Sequence, residues 1–173
     1  YVCNVDDASA VNGNSYVVTG AAAGNDYGVY ASGRNNITIK NVNITNFADG
    51  IYLISTSNSL INNVSSYSNT EYGLSLSTGS NNTLNNITAN SNTDTGIYLA
   101  NSNDVLTGIT TTSNGGPGVG SGINLIGSNN RVVNCIMSNI PANDVKVTED
   151  LPVNPDGATN NSLINCTYNT DYV

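Results

Sequence analysis

A four-residue pattern returns along the chain: Gly28-Val29-Tyr30-Ala31, Gly50-Ile51-Tyr52-Leu53, Gly73-Leu74-Ser75-Leu76, Gly96-Ile97-Tyr98-Leu99 and Gly122-Ile123-Asn124-Leu125. Its glycines are 22, 23, 23 and 26 residues apart. Apolar positions at i and i+2 around a more polar residue predict a half-buried strand, with the middle residue on the outer face. A second apolar column runs Val17, Ile39, Ile61, Leu84, Leu106, Val133 and Ile164. Three residues further on come Val42, Val64, Ile87, Ile109 and Ile136, and the change of step from two to three predicts a bend between two short strands. Helices are excluded, because Gly, Asn, Ser and Thr interrupt every helical face and β-branched residues fill the apolar sites. One such unit cannot bury its own apolar edge, whereas stacked copies share a continuous core. The pattern therefore predicts an all-β parallel solenoid of about six to seven coils with 22–23 residues per coil. At about 4.8 Å per coil it would stand roughly 30 Å tall.

Asparagine follows the same period. Asn14, Asn36, Asn58, Asn81, Asn103, Asn130 and Asn161 each sit three residues before the second column, and Asn46, Asn69, Asn92, Asn114 and Asn139 mark the other side of the coil. Asn41, Asn63 and Asn86 form a shorter run at the strand bend. Asn tolerates left-handed backbone angles, and stacked amides satisfy one another from coil to coil. Residues 1–173 read as a single solenoid domain, with 1–14 an irregular first strand. The period breaks twice. A Gly-rich stretch, residues 113–121, lengthens one turn, and residues 148–159 read as a loop insertion of the kind in which solenoids carry binding sites. The first residue, Tyr1, suggests part of a longer surface protein.

Composition narrows the setting. Only 9% of residues are charged, against roughly 25% in ordinary globular chains. The net charge is −8 with four cationic residues, which argues against a nucleic-acid partner or an anionic membrane surface. No apolar run approaches the ~20 residues of a spanning helix, so direct membrane insertion is not expected. Seven Asn-x-Ser/Thr sequons, among them those at Asn43, Asn160 and Asn165, are candidates for glycosylation and lean towards an extracellular or cell-surface location.

Candidate chemistry is sparse. Cys135 and Cys166 fall at equivalent places in consecutive coils, and stacking at about 4.8 Å lies within the Cα range of a disulfide. A disulfide clamping the last coils is the preferred reading, with two buried free thiols as the alternative, while Cys3 is left over. Asp26, Glu71 and Asp94 precede the repeat glycine by two residues and Asp49 by one. Such a stripe could hold calcium, but acids at solvated turns explain it more simply, and no other metal or cofactor is expected. There is no histidine, which rules out a Ser-His-Asp or Cys-His arrangement, so no catalytic residues are assigned and the chain is not expected to be an enzyme. Tyr30, Tyr52 and Tyr98 occupy the outward middle position of the repeat, where they could stack on sugar rings, pack on another protomer or stabilise one another across strands.

The unit Asn36-Ile37-Thr38-Ile39-Lys40-Asn41-Val42 followed by Gly50-Ile51-Tyr52-Leu53 resembles the right-handed parallel β-helix repeat of pectate-lyase-like and NosD-type proteins. In flavour it is most similar to Asn- and Thr-rich surface proteins of methanogenic archaea. The resemblance covers about residues 14–168 and implies three parallel sheets wound right-handed. It carries no active site with it, because neither clustered calcium-binding aspartates nor an aspartate-rich motif with histidine is present. Two functions are expected to compete, the first being the preferred reading and the second the alternative. One is an extracellular structural or adhesive solenoid of an envelope protein, whose partners are other copies of itself or envelope components. The other is a carbohydrate-binding or carbohydrate-processing domain, with glycans as partners. Acids and tyrosines converging in one groove would favour the second.

Overall fold

A computed structural model describes residues 3–6, 9–21, 25–147 and 158–168, and the backbone of 171–172. The described residues form sixteen strands and no helix. They are β1 Cys3–Asn4, β2 Ala10–Asn12, β3 Val17–Thr19, β4 Tyr27–Ser32, β5 Thr38–Thr45, β6 Asp49–Ile54, β7 Leu60–Tyr67 and β8 Leu74–Ser80. There follow β9 Thr83–Asn90, β10 Ile97–Ser102, β11 Val105–Thr112, β12 Ser121–Leu125, β13 Arg131–Ser138, β14 Asn143–Val147, β15 Ser162–Thr167 and β16 Asp171–Tyr172. The even-numbered strands from β4 to β16, with β1, make one parallel sheet; the odd-numbered strands from β5 to β15, with β2 and β3, make another.

Each coil contributes one shorter strand and one longer, bent strand. The bend falls where the step of the apolar pattern changes. Asn41, Asn63, Asn86, Asn134 and Asn165 have φ between 51° and 54°, and Gly108 takes the same place with φ 67°. A single left-handed residue turns the strand and drops out of the pairing, while the ladder resumes on the next residue: Lys40 pairs Asn62 and Val42 pairs Val64. Two continuous ladders therefore enclose three walls, in place of three separate sheets. The interior is filled by stacked Val29, Ile51, Leu74, Ile97 and Ile123 from one sheet and Ile39, Ile61, Leu84 and Leu106 from the other, all fully buried.

The register corrects the second column at both ends. Val11, not Val17, pairs Ile39, and Val132, not Val133, pairs Leu106. Val132 is fully buried while Ile136 is 54% exposed, because a one-residue slip turns every side chain to the other face. Cys135 consequently pairs Ile109 in the inward column, and Asn134 takes the bend. The slip affects both cysteines equally, so Cys135 and Cys166 still face each other across β13 and β15 and are disulfide-bonded, with Cα atoms 4.4 Å apart. Cys3 is a free, exposed thiol.

The asparagine columns also separate into different roles. Asn46, Asn139, Asn14, Asn36, Asn58, Asn81 and Asn103 are left-handed turn residues. The buried ladders lie one residue further on or in the opposite corner. In one, Asn69 Nδ2 donates to Asn92 Oδ1 at 2.9 Å, Asn92 Nδ2 to Asn114 Oδ1 at 2.9 Å, and Asn114 Nδ2 to the Ala89 carbonyl at 2.7 Å. Phe47 closes that ladder, its N–H donating to Asn69 Oδ1 at 3.0 Å. In the other corner Ser59, Asn82, Asp104, Asn130 and Asn161 are linked, each backbone N–H donating to the next side-chain oxygen at 2.7–3.0 Å. The repeat glycines are explained by crowding rather than by a turn angle. A Cβ on Gly73 would lie 2.6 Å from the Gly96 carbonyl oxygen, and one on Gly96 would lie 2.7 Å from that of Gly122. Of the predicted loop insertion 148–159, residues 148–157 lie outside the described residues.

Candidate functional site

Stacking places the middle residue of the repeat in one outward column along the shorter-strand wall: Tyr30, Tyr52, Ser75, Tyr98, Asn124 and Lys146. A second column joins it from the residue before each glycine. There the strand does not alternate. The N–H groups of both Gly50 and Ile51 donate to the next coil, to the carbonyls of Tyr72 and Gly73, each at 3.1 Å, and Gly73 and Leu74 repeat this towards Thr95 and Gly96. This bulge-like pairing lets Tyr27, Asp49 and Tyr72 line the same surface as Tyr52 and Tyr98.

The tyrosines form two clusters. Tyr27 stacks on Tyr30, ring centroids 5.5 Å apart, and leans on Tyr52 at 4.8 Å, while Tyr72 stacks on Tyr98 at 5.1 Å. Ser75, in the coil between Tyr52 and Tyr98, is a short side chain buried at 3% exposure between the clusters. The recess there holds about 270 Å³ and is lined by Asp49, Glu71, Ser75 and Ser77 together with tyrosines of both clusters. A second recess of about 320 Å³ shares Tyr72 and Tyr98 and continues along the wall to Asp94, Asn124, Asn143 and Lys146. Its rim is the Gly-rich stretch. Gly116 and Val119 exchange two backbone hydrogen bonds of 3.1 Å around Pro117-Gly118, and Gly118 has φ +78°, as Pro at the second and Gly at the third position of a type II turn require. The same turn brings Val119, Gly120 and Ser121 over Asp94 and Thr95.

The electrostatics of this groove centre on Asp49. Burial pushes its carboxyl up to about 7, and the charges of Glu71 and Asp94 add to this, against the lowering effect of the Tyr72 N–H, which donates to Asp49 Oδ1 at 3.1 Å. Burial, with Asp94 and the neighbouring acids and tyrosine, raises the Tyr72 hydroxyl to about 12. A carboxyl held partly protonated near neutral pH beside other carboxylates can donate a proton to a leaving oxygen, the role a general acid plays in glycoside chemistry.

The structure places Tyr30 and Tyr52 in one cluster with Tyr27, and Tyr98 in the other with Tyr72, and neither Tyr27 nor Tyr72 was singled out by the repeat. The Tyr-Gly pairs at 27–28 and 72–73 were the available signal, hidden by an assumed strict alternation. Asp26, Glu71 and Asp94 stack in one backbone column, with Ala48 in the coil between Asp26 and Glu71, while Asp49 stands in the neighbouring column. Asp26 Oδ1 accepts the Ala48 N–H at 3.0 Å, Asp49 lies in the tyrosine recess, Glu71 is exposed at its rim and Asp94 lines the second recess. Among the described residues no three His, Cys, Asp or Glu side chains come together as a metal-ligand group. Asn43, Asn160 and Asn165 all lie away from this wall, Asn43 on β5, Asn160 in the turn before β15, and Asn165 on β15 with its Nδ2 donating to Asn134 Oδ1 at 2.7 Å.

The family model of the right handed beta helix region matches residues 3–135, and the chain belongs to that family. No curated protein matches it in sequence. Among solved structures it is similar to the periplasmic alginate epimerase AlgG, with a TM-score of 0.62 at 15% identity over 99% of this chain and 47% of that one. It is similar as well to the tailspike gp49 of Acinetobacter baumannii bacteriophage Fri1, a capsular polysaccharide depolymerase, with a TM-score of 0.60 at 14% identity over 95% of this chain and 34% of that one. A third is the alginate lyase of Paenibacillus sp. str. FPU-7, with a TM-score of 0.54 at 11% identity over 86% of this chain and 79% of that one. The chain thus spans less than half the length of the first two. These likenesses establish the fold, and they correct the expectation that the chain is not an enzyme. The solved proteins sharing its fold include an epimerase, a lyase and a depolymerase. The inference from missing histidine was too strong, because it excludes imidazole-based triads and leaves carboxyl acid–base chemistry open.

Proposed function

We propose that this β-helix is a polysaccharide-binding and polysaccharide-processing domain that works outside the cytoplasm, with the shorter-strand wall as its glycan groove. The observation that carries the reading is the convergence of four tyrosines, Tyr27, Tyr52, Tyr72 and Tyr98, with Asp49, Glu71 and Asp94 in two recesses that share Tyr72 and Tyr98. The negative face of an aromatic ring accepts the electropositive C–H face of a pyranose, and carboxylates, amides and hydroxyls around it accept and donate the hydrogen bonds of sugar hydroxyls. A groove running from coil to coil suits an extended chain of sugars. Within it Asp49 is the proton donor and Glu71 or Asp94 the second carboxylate. The periplasmic and phage proteins of similar fold support the location and the polymer class. Incubation of the full chain with a polysaccharide panel, followed by reducing-end and unsaturated-sugar assays, tests the reaction. Product formation lost in Asp49→Asn supports the reading, and no product with any polymer removes the processing half of it.

A second reading, assembly with other copies or with envelope components, draws on Val17 and Ile136, which are 53% and 54% exposed on the longer-strand walls. Sedimentation over a concentration series tests it, and a monomer at all concentrations counts against self-assembly.

A further inference from the structure

We infer that the glycan taken by this groove is uncharged, and that uronic acid polymers are excluded from it. The inference rests on the groove reading above and adds the charge of the substrate. The two recesses are lined by Asp49, Glu71 and Asp94 against one cation, Lys146. The remaining cations are elsewhere. Lys40 and Arg131 belong to β5 and β13 of the other sheet, and Arg34 is engaged by Asp6 at 3.2 Å in a turn beside Tyr30. The whole chain carries −8, so the long-range field repeats the local one. A polymer with a carboxylate on every sugar would bring like charges against Glu71 and Asp94 and would face the buried, partly protonated Asp49, whose ionisation it would oppose further. Among the described residues the acids of the groove do not gather as a group of three that could hold a cation between protein and uronate.

The lining suits neutral sugars instead. Ring faces of Tyr52, Tyr72 and Tyr98 offer stacking along the recess, whose floor includes the buried Ser75. Hydroxyl and amide groups of Thr95, Ser121 and Asn143 extend the polar lining. Alginate is a uronic acid polymer, so the specificity inferred here differs from the substrate named for two of the proteins that share the fold.

Native affinity electrophoresis of the full chain separates the outcomes. Gels would contain uncharged polysaccharides (a galactomannan, a mixed-linkage glucan, hydroxyethylcellulose and dextran), alginate, polygalacturonate or chitosan, each run with and without added calcium. Retardation by at least one uncharged polymer, lost in Tyr52→Ala and at least tenfold stronger than by either uronate, is the expected result. Retardation by alginate or polygalacturonate of equal strength, with or without calcium and dependent on Tyr52, would overturn the charge inference and leave the groove standing. Retention by chitosan alone, removed by salt and indifferent to Tyr52→Ala, would overturn it as bulk electrostatics. No retardation by any polymer would overturn the inference and the binding half of the proposed function together.

Discussion

The shorter-strand and longer-strand walls are built on the same coil and the same spacing, yet their outer columns differ completely. The first reads Tyr30, Tyr52, Ser75, Tyr98, Asn124 and Lys146. The matching outer column of the second reads Lys40, Asn62, Asn85, Thr107, Val133 and Ile164, short or isolated side chains with no aromatic ring. The inward columns of both are interchangeable Ile, Leu and Val. Folding therefore constrains the inside of every wall alike, and a site arises where the outside departs from plain small polar residues. The bulge-like pairing before each repeat glycine sharpens the difference, because it delivers a second column, Tyr27, Asp49 and Tyr72, to one wall alone.

Breaking the corner that both walls share gives the largest effect. Asn92→Ala removes the acceptor of the Asn69 N–H and one of the two acceptors of Asn69 Nδ2, which keeps Ser66 Oγ, and it withdraws the Nδ2 donor to Asn114 Oδ1 and to the Ser66 carbonyl. Unsatisfied buried groups cost about 1–3 kcal/mol each, so a loss of about 4 kcal/mol is expected in urea unfolding, felt by both walls. Next comes the opposite corner, where Asp104 replaces an amide in the ladder. Its Oδ2 is buried without a hydrogen-bond partner, and burial pushes the carboxyl up to about 6, against the lowering effect of the Asn82 N–H and Nδ2, which donate to Oδ1. Asp104→Asn should stabilise the fold by about 3 kcal/mol at pH 8 and by little at pH 4.

The sign of that dependence follows from the direction of both shifts. Asp49 and Asp104 have folded values of about 7 and about 6, above the ordinary 3.8. Between about pH 4 and 7 the native state binds more protons than the unfolded one, so stability falls as pH rises through that window. A thermal melt at pH 5 should therefore exceed one at pH 8, and the gap should narrow in Asp104→Asn. On the wall itself, Tyr52→Ala with Tyr98→Ala should weaken glycan binding by about 30-fold, at two ring contacts of about 0.5–1.5 kcal/mol each, while the melting temperature changes little. The smallest effect belongs to the control wall: Asn62→Ala with Thr107→Ala should change glycan binding by less than about twofold, within the usual spread for surface substitutions.

Much of this was legible beforehand. The Gly-x-x-x pattern located every shorter strand from β4 to β12, and the spacing of Cys135 and Cys166 placed them in one column. The slip at Val133 was avoidable, since the glycine step of 26 residues, applied to Leu106, leads to Val132. The asparagines resisted separation because turn residues and ladder residues are adjacent in the sequence, as at Asn81-Asn82 and Asn129-Asn130. The groove was half legible. Its outward tyrosines follow from alternation, but Tyr27, Asp49 and Tyr72 reach the surface through backbone pairing that no side-chain pattern announces, and the Gly-rich turn becomes a rim only when it folds over Asp94.

The most direct test of the central claim uses the chain's own rings. Full-length protein with labelled tyrosines would be titrated with an uncharged oligosaccharide that retards it in gels, and each ring followed by NMR. The account predicts shifts confined to Tyr27, Tyr30, Tyr52, Tyr72 and Tyr98, with Tyr16 and Tyr67, on β5's side of the coil, unmoved. Shifts centred on Tyr16 or Tyr67, or spread evenly over all ten tyrosines, would contradict it.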